Sequence, residues 1–395
     1  MANTAPGWKW VQVALPTDPD TAPVSSLEFY GTVIAPSSKE AILFILVTTG
    51  NNKSIWAYTT AGDSGYYSEL LGFPSTDSIT MSLGAVIADS APTLVVKGKD
   101  SNVFACSWSD GNWSWRPLAT PAVKISMAMG TVPANNVANV LFMDTGEGNE
   151  QNLWSYSATS SDWKLSELPP NTLGGKIETF MGTVLANGAP NVLVLNDKKT
   201  LWACALPAAS SSWKWSQLPR LPSPNTVKIP MGTVLATGTA NLLVLDKVNN
   251  LWACSQATSG QWQWTQLPPI PYPANSPTNV VPVQLGAAVV NSKPNVFVLN
   301  KLDKGQTFLW SCQLGTDGIW QWIQLPSLPD GSNFASPTAE AAEAPAAEAS
   351  ALSSPAGLTA VATDGDKLNF IFLTSSDSST SDSIESFWYC YNTPG

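Results

Sequence analysis

The sequence predicts an all-β chain, a seven-bladed β-propeller of four-stranded antiparallel blades, and three observations predict it. Residues 181–219, MGTVLANGAPNVLVLNDKKTLWACALPAASSSWKWSQLP, return almost unchanged at 231–268 and in worn form along the whole 395-residue chain. Each copy reads as four short segments rich in β-branched or aromatic residues, at 182–186, 191–195, 201–205 and 213–218 in the first, divided by Gly, Pro, Asn, Ser or Lys turns. Helix-forming patterns are nearly absent. A unit of about 50 residues with four strands has the size of a propeller blade, a sheet that buries both faces only when neighbours stack against it.

Taken in order, the chain opens on Trp8-Lys9-Trp10-Val11-Gln12, which matches the fourth segment Trp213-Lys214-Trp215-Ser216-Gln217 but has no first three segments before it. First segments then begin around Gly31, Gly84, Gly130, Gly182, Gly232, Gly286 and Gly357. Second segments follow at 42–47, 94–97, 139–143, 191–195, 241–245, 295–299 and 368–373. Third segments run through Ile55-Trp56, Val103-Phe104, Leu153-Trp154, Leu201-Trp202, Leu251-Trp252, Leu309-Trp310 and Phe387-Trp388. Each set counts to seven. The last unit ends at Phe387-Trp388-Tyr389-Cys390-Tyr391 without a fourth segment, so the opening segment is expected to complete it and close the ring. That removes an open sheet edge. One domain over 1–395 is expected, with blades at about 26–74, 79–120, 125–170, 177–220, 227–269, 281–329, and 356–395 plus 7–16.

Second segments such as Val192-Leu193-Val194-Leu195 are apolar without alternation, the mark of a strand buried on both faces. Third segments alternate, with Trp202 and Cys204 on one face and Leu201, Ala203 and Ala205 on the other. An indole there reads as blade-to-blade packing. The break in rhythm is an Ala/Glu-rich insertion at 330–355, where Pro345 interrupts the helix formers; an exposed loop with at most a short helix is expected.

Composition excludes several functions. Charged residues are 12% of the chain, Arg occurs only at Arg116 and Arg220, and the net charge is −10. Phosphate-backbone binding depends on clustered cations, so nucleic acid is not an expected partner, whereas neutral polar ligands are. The N-terminus lacks a basic region followed by an apolar one, and no apolar run spans a membrane. Cytoplasmic synthesis without a signal peptide is expected, with any release non-classical and no membrane insertion. The five cysteines, Cys106, Cys204, Cys254, Cys312 and Cys390, fall at one place in the third segments of different blades. They read as small buried hydrophobes in a reducing compartment.

No catalytic residues emerge. The chain has no histidine, which removes the usual general base and the commonest metal ligand. Gly62-Asp63-Ser64-Gly65 resembles a protease nucleophile loop but lacks a base and reads as a turn. Glu69 and Glu167 share a repeat position in different blades and form no glycosidase pair. Asp364-Gly365-Asp366 with Asn369 lacks the remaining oxygens of a calcium loop. The expectation is a non-enzyme with no metal and no cofactor.

What recurs at the periphery is Trp-x-Trp-x-Gln on the fourth segment, three side chains that period-two geometry places on one face. The full set is Trp8, Trp10 and Gln12; Trp213, Trp215 and Gln217; Trp262, Trp264 and Gln266; and Trp320, Trp322 and Gln324. Worn versions keep Trp113 and Trp115 with Pro117, Trp163 with Leu165 and Glu167, and only Tyr67 with Glu69. Indole faces pack on the C–H face of a pyranose, and an amide bonds to its hydroxyl or N-acetyl groups, so these residues are the candidate sugar-binding set. Filling the gap between adjacent blades is the competing reading, and one Trp of each pair can serve it. Loops at Asn196, Asp246 and Asn300 offer further hydrogen bonds or simply turn chemistry.

The motifs MGTVLA, NVLVLN, LWACA and WKWSQLP, repeated over practically the whole chain, resemble the mushroom fruiting-body propeller lectins of the Agrocybe, N-acetylglucosamine-binding type. More distantly the chain is similar to the seven-bladed Photorhabdus-type propeller lectins, whose paired tryptophans are usually spaced Trp-x-x-Trp. The Agrocybe type has six blades, one fewer than the count made here. The resemblance implies multivalent sugar binding in pockets between blades, no cofactor and no signal peptide. The expected function is a multivalent lectin for terminal N-acetylglucosamine or a related neutral sugar on glycans and glycoproteins, the chain being a monomer or homodimer. A lectin for fucose or another neutral sugar, and a protein-interaction scaffold, remain open alternatives.

Overall fold

The computed structural model describes residues 8–16, 24–36, 38, 40–50, 52–61, 64–73, 79–99, 101–134, 137–145, 151–159, 162–170, 173–207, 212–222, 226–236, 239–257, 260–271, 282–290, 293–301, 307–315, 317–326, 359–362, 368–374 and 386–392. The 330–355 insertion, Gly357 and Asp364-Gly365-Asp366 lie outside them. Among the described residues no helix is long and apolar enough to cross a membrane.

Six sheets are each built from four consecutive antiparallel strands. They are β2 (Val24–Ile34), β3 (Ala41–Thr49), β4 (Asn52–Ala61) and β5 (Ser64–Glu69); then β6 (Ile79–Ala88), β7 (Ala91–Gly98), β8 (Val103–Ser109) and β9 (Asn112–Pro117). The third is β10 (Ile125–Ala134), β11 (Val137–Asp144), β12 (Leu153–Ala158) and β13 (Trp163–Glu167), and the fourth is β14 (Ile177–Ala186), β15 (Ala189–Asn196), β16 (Leu201–Ala205) and β17 (Lys214–Gln217). The fifth is β18 (Val227–Ala236), β19 (Thr239–Asp246), β20 (Leu251–Gln256) and β21 (Trp262–Gln266), and the sixth is β22 (Pro282–Val290), β23 (Lys293–Lys301), β24 (Thr307–Leu314) and β25 (Trp320–Gln324). A further four-stranded sheet draws on both ends of the sequence: β26 (Thr359–Ala362), β27 (Leu368–Thr374), β28 (Ser386–Asn392) and, on its outer edge, β1 (Trp8–Ala14). β1 pairs with β28 from Trp8 opposite Asn392 to Ala14 opposite Ser386.

Stacking follows from the second strands. On β15, Val192 and Val194 join a cluster with Leu141 and Met143 of β11, while Leu193 and Leu195 join one with Leu242 and Val244 of β19. Alternate side chains thus enter two different cores, which is why the sequence shows no polar face. Burying each Val or Leu stabilises the stack by roughly 1.5–3 kcal/mol. The polar Asn139, Asn191, Asn241 and Asn295 enter these strands buried because each donates its amide N–H to the carbonyl two residues before it, at 2.8, 2.8, 3.0 and 2.9 Å. The first strands lie side by side, β2 by β6, β6 by β10, β10 by β14, β14 by β18, β18 by β22, β22 by β26, and β26 by β2.

The first strands depart from expectation. They begin well before the glycine that had marked their start: β14 opens at Ile177, and Gly182 is instead a bulge at which the register against β15 shifts after Phe180. Gly182 has φ 129°, and a Cβ there would stand 2.6 Å from Thr233 Cγ2 of the next sheet, so both conformation and close approach require glycine. The adjoining threonines link sheet to sheet. Thr131 donates its hydroxyl to Ala85 O at 3.0 Å, Thr183 to Thr131 O at 2.8 Å and Thr233 to Thr183 O at 2.7 Å. Cys106, Cys204, Cys254 and Cys312 are free and buried in four different sheets.

Candidate functional site

Register places the fourth-strand residues. Trp215 lies opposite Cys204 and Gln217 opposite Trp202, so the Trp-x-Trp-x-Gln face is the face of Trp202 and Cys204, turned toward the preceding sheet. In β21 and β25 the same register pairs Trp264 with Cys254 and Trp322 with Cys312. β1 repeats it, Trp10 opposite Cys390 and Gln12 opposite Trp388, although the side chains of residues 8–12 lie outside the description.

The second indole of each pair is a clasp between sheets. Trp115 Nε1–H donates to Leu70 O (3.3 Å), Trp215 to Pro169 O (3.1 Å), Trp264 to Pro219 O (2.9 Å) and Trp322 to Pro268 O (3.1 Å). Each acceptor follows a fourth strand in the preceding sheet; in three of the four it is the proline of a Leu-Pro step, and in the other it is Leu70. The first indole varies. Trp163 and Trp320 are only 3% and 7% exposed, each within a cluster that joins its own sheet to the preceding one. Trp113, Trp213 and Trp262 are half-buried and keep an open edge. At the third position Gln217, Gln266 and Glu167 are exposed and Gln324 is half-buried. Glu69, in the corresponding place on β5, has its carboxyl raised above the ordinary range by burial.

The turn residues resolve toward turn chemistry. Asp246 is buried and accepts from Val248 N (2.9 Å), Asn250 N (2.8 Å), Asn250 Nδ2 (3.0 Å) and Trp252 Nε1 (2.9 Å). Asn196 is buried too; its Oδ1 accepts from Thr200 N at 2.8 Å and its Nδ2 donates to Leu173 O at 3.2 Å. Neither is presented to solvent. The side chain of Asn300 lies outside the description.

A cleft of about 390 Å³ opens between the sheets β2–β5 and β6–β9. Its aromatic wall is Trp108 (36% exposed), Tyr66 (54% exposed) and Trp113. Trp108 lies opposite Trp113 on β9, ring centroids 5.1 Å apart and edge to face. Trp113 is held in turn by Phe44 at 5.4 Å and by its Nε1–H, which donates to Ser68 Oγ across the cleft at 2.9 Å. Glu40, Asp89 and Asp110 supply carboxylates. Asp89 and Asp110 occupy left-handed turn positions, φ 49° and 51°, which Asp tolerates better than most residues. The cleft thus joins flat apolar faces to hydrogen-bonding groups at its rim.

Trp108 and Tyr66 escaped the sequence reading. In the other copies the residue opposite the first indole is Ala158, Gln256 or Leu314, so Trp108 departs from the repeat and a search for what recurs passes over it. The seam between β14–β17 and β18–β21 carries a polar bridge. Asn187 Nδ2 donates to Gln256 Oε1 at 3.1 Å, an amide bridge from one sheet to the next.

No protein-family model matches the sequence, and no curated protein sequence matches it. Solved structures do. The BP39L lectin from Burkholderia pseudomallei is 13% identical, with a TM-score of 0.51 over 95% of this chain and 99% of that one. AofleA from Arthrobotrys oligospora is 12% identical, TM-score 0.46, over 82% and 92% of the two chains. The Aleuria aurantia lectin, described as a six-bladed β-propeller with a novel fucose recognition mode, is 13% identical, TM-score 0.44, over 79% and 99%. These neighbours are fungal and bacterial β-propeller lectins, and at such identities the likeness is one of fold.

Proposed function

We propose that this chain is a multivalent lectin taking terminal N-acetylglucosamine or a related neutral pyranose in clefts between the blades of a seven-bladed ring. The observation that carries the reading is the cleft of about 390 Å³ between two sheets, with the Trp108 face open beside Tyr66 and polar rim groups. An indole face against pyranose C–H groups with hydrogen bonding at the edge is how uncharged sugars are held in water. Trp213 and Trp262, at the corresponding place on later fourth segments, are half-buried, with Gln217 and Gln266 exposed on the same strand faces. Several weak sites on one rigid ring gain avidity toward clustered glycans. The lectin neighbours are consistent with binding rather than catalysis as the activity.

Closure of the ring draws support from β26 lying beside β2 and from Val13 and Leu15 packing with Leu43 and Ile45 of the first sheet. Thr32 adds a local sign. Its Oγ1 is buried without a partner among the described residues, at the place where Thr131, Thr183 and Thr233 each donate to the preceding first strand. In a ring the acceptor comes from the first strand of the last blade.

A glycan array is the test. Binding to clustered N-acetylglucosamine, reduced at least about tenfold by Trp108→Ala with the melting temperature preserved, is the expected result. Selective binding to fucose keeps the lectin and replaces the sugar; silence across the array at micromolar clustered ligand removes the lectin reading.

A further inference from the structure

We propose that the cleft between β2–β5 and β6–β9 selects a pyranose bearing a protonated amino group, an unacetylated amino sugar, over its N-acetylated counterpart. The inference rests on the lectin reading for the shape of the ligand and adds a charge to it: the N-acetylated sugar still enters this cleft, but several-fold more weakly than the amino sugar.

Glu40, Asp89 and Asp110 all line this cleft, and among its described lining residues there is no lysine or arginine; Lys39, next to Glu40, lies outside the description. The carboxylates come from three places in the two sheets: the approach to β3, the β6–β7 turn and the β8–β9 turn. Among the described residues no group of three acidic, cysteine or histidine side chains converges closely enough to hold a metal ion. Trp108 and Tyr66 present ring faces in the same space, and an ammonium group is attracted to such faces as well as to carboxylates. The chain's net charge of −10 favours cationic ligands in general.

One counterpart position lacks this combination. Between β14–β17 and β18–β21 the residue opposite the first indole is Gln256, already bridged to Asn187, and Lys214 stands where Tyr66 stands on β5. An N-acetyl group at the same carbon would remove the charge and bring a carbonyl oxygen toward carboxylates that cannot donate to it.

Calorimetric titration of the full chain with a β-1,4-linked glucosamine trimer and with its fully N-acetylated form tests this. At low salt the amino trimer should bind roughly five- to tenfold more tightly at this cleft, and the margin should shrink at high salt as screening sets in. Asp89→Asn with Asp110→Asn keeps residues that tolerate left-handed turns, so the fold should survive while the preference collapses. Trp108→Ala should weaken the amino trimer as well. If the N-acetylated trimer binds and the double Asn variant alters neither affinity, amine selection is overturned and the lectin reading survives. If the amino trimer binds undiminished to the Asn and Trp108→Ala variants, the attraction is a diffuse one to an acidic surface and the site is overturned. If neither trimer binds and the array is silent, both readings fall together.

Discussion

Trp215 shows how one side chain can satisfy a packing rule and a recognition rule at once. Its spacing from Trp213 fixes the strand face, but what that face meets depends on a residue in another sheet, the Pro169 carbonyl that takes its indole hydrogen at 3.1 Å. Replacing it by Phe keeps most of the ring and removes the donor. Trp215→Phe should therefore cost about 1–2 kcal/mol of stability, the worth of a partly buried hydrogen bond left unmade, while Gln217→Ala, at an exposed position, should stay within about 0.5 kcal/mol. Urea unfolding of the two variants checks this, and an equal loss from both would give Gln217 a structural duty. The strand and the shared face were legible in the sequence because period two needs only local spacing. The sealing of Trp163 and Trp320 was not, since burial belongs to the neighbouring sheet. Trp108 was missed for the opposite reason: it occurs once, opposite Trp113, where the repeat carries other residues.

At the scale of the strand, the second and third elements lie where the sequence placed them, because burial leaves an apolar run, although second strands such as Ala189–Asn196 extend past the expected 191–195 at both ends. The first strands were cut short. Their N-terminal halves, such as Ile177-Glu178-Thr179-Phe180, mix exposed and half-buried positions, and the Gly-Thr step that draws the eye is a bulge within the strand. The third strands carry a thiol whose titration reports their burial. Desolvation pushes Cys106, Cys204 and Cys254 from 9.0 up to about 12, and raises Cys312 as well. The folded state thus holds these protons more tightly than the unfolded one. Below the unfolded thiol's pKa both states are protonated and the stability is fully present; above it the unfolded chain ionises first. Stability should then fall as pH rises from about 9 toward 12, by up to about 1.4 kcal/mol per pH unit for each thiol. Cys204→Ala should lower that slope by one thiol's share in unfolding curves from pH 8 to 11. An unchanged slope would mean that Cys204 ionises freely in the folded sheet.

For the molecule as a whole, the informative signal was that the Trp8–Gln12 segment matches a fourth strand while the repeat at Phe387–Tyr391 matches a third. The pairing of β1 with β28 joins them, and it can be tested without disturbing any other sheet. Trp10 and Cys390 are Cα partners in that ladder. Residues directly opposite in an antiparallel pair have Cα atoms about 4.5–5.5 Å apart, within the span that a disulfide bridges. Trp10→Cys should therefore form a bond to the native Cys390 under mild oxidation. Cys106, Cys204, Cys254 and Cys312 are buried and compete poorly for the oxidant. Peptide mapping should find the 10–390 linkage. Because it ties the unfolded chain into one loop of nearly its full length, the oxidised variant should unfold later than its reduced form by up to about 5 kcal/mol. A register slipped by one residue would turn the two thiols to opposite faces and leave the linkage unformed, so the experiment reads the alignment of the closing strand as well as its presence. With the ends joined, the first and last sheets are held together by covalent chain on one side and by the β1 ladder on the other. That is the condition under which clefts between sheets keep a fixed shape for a ligand.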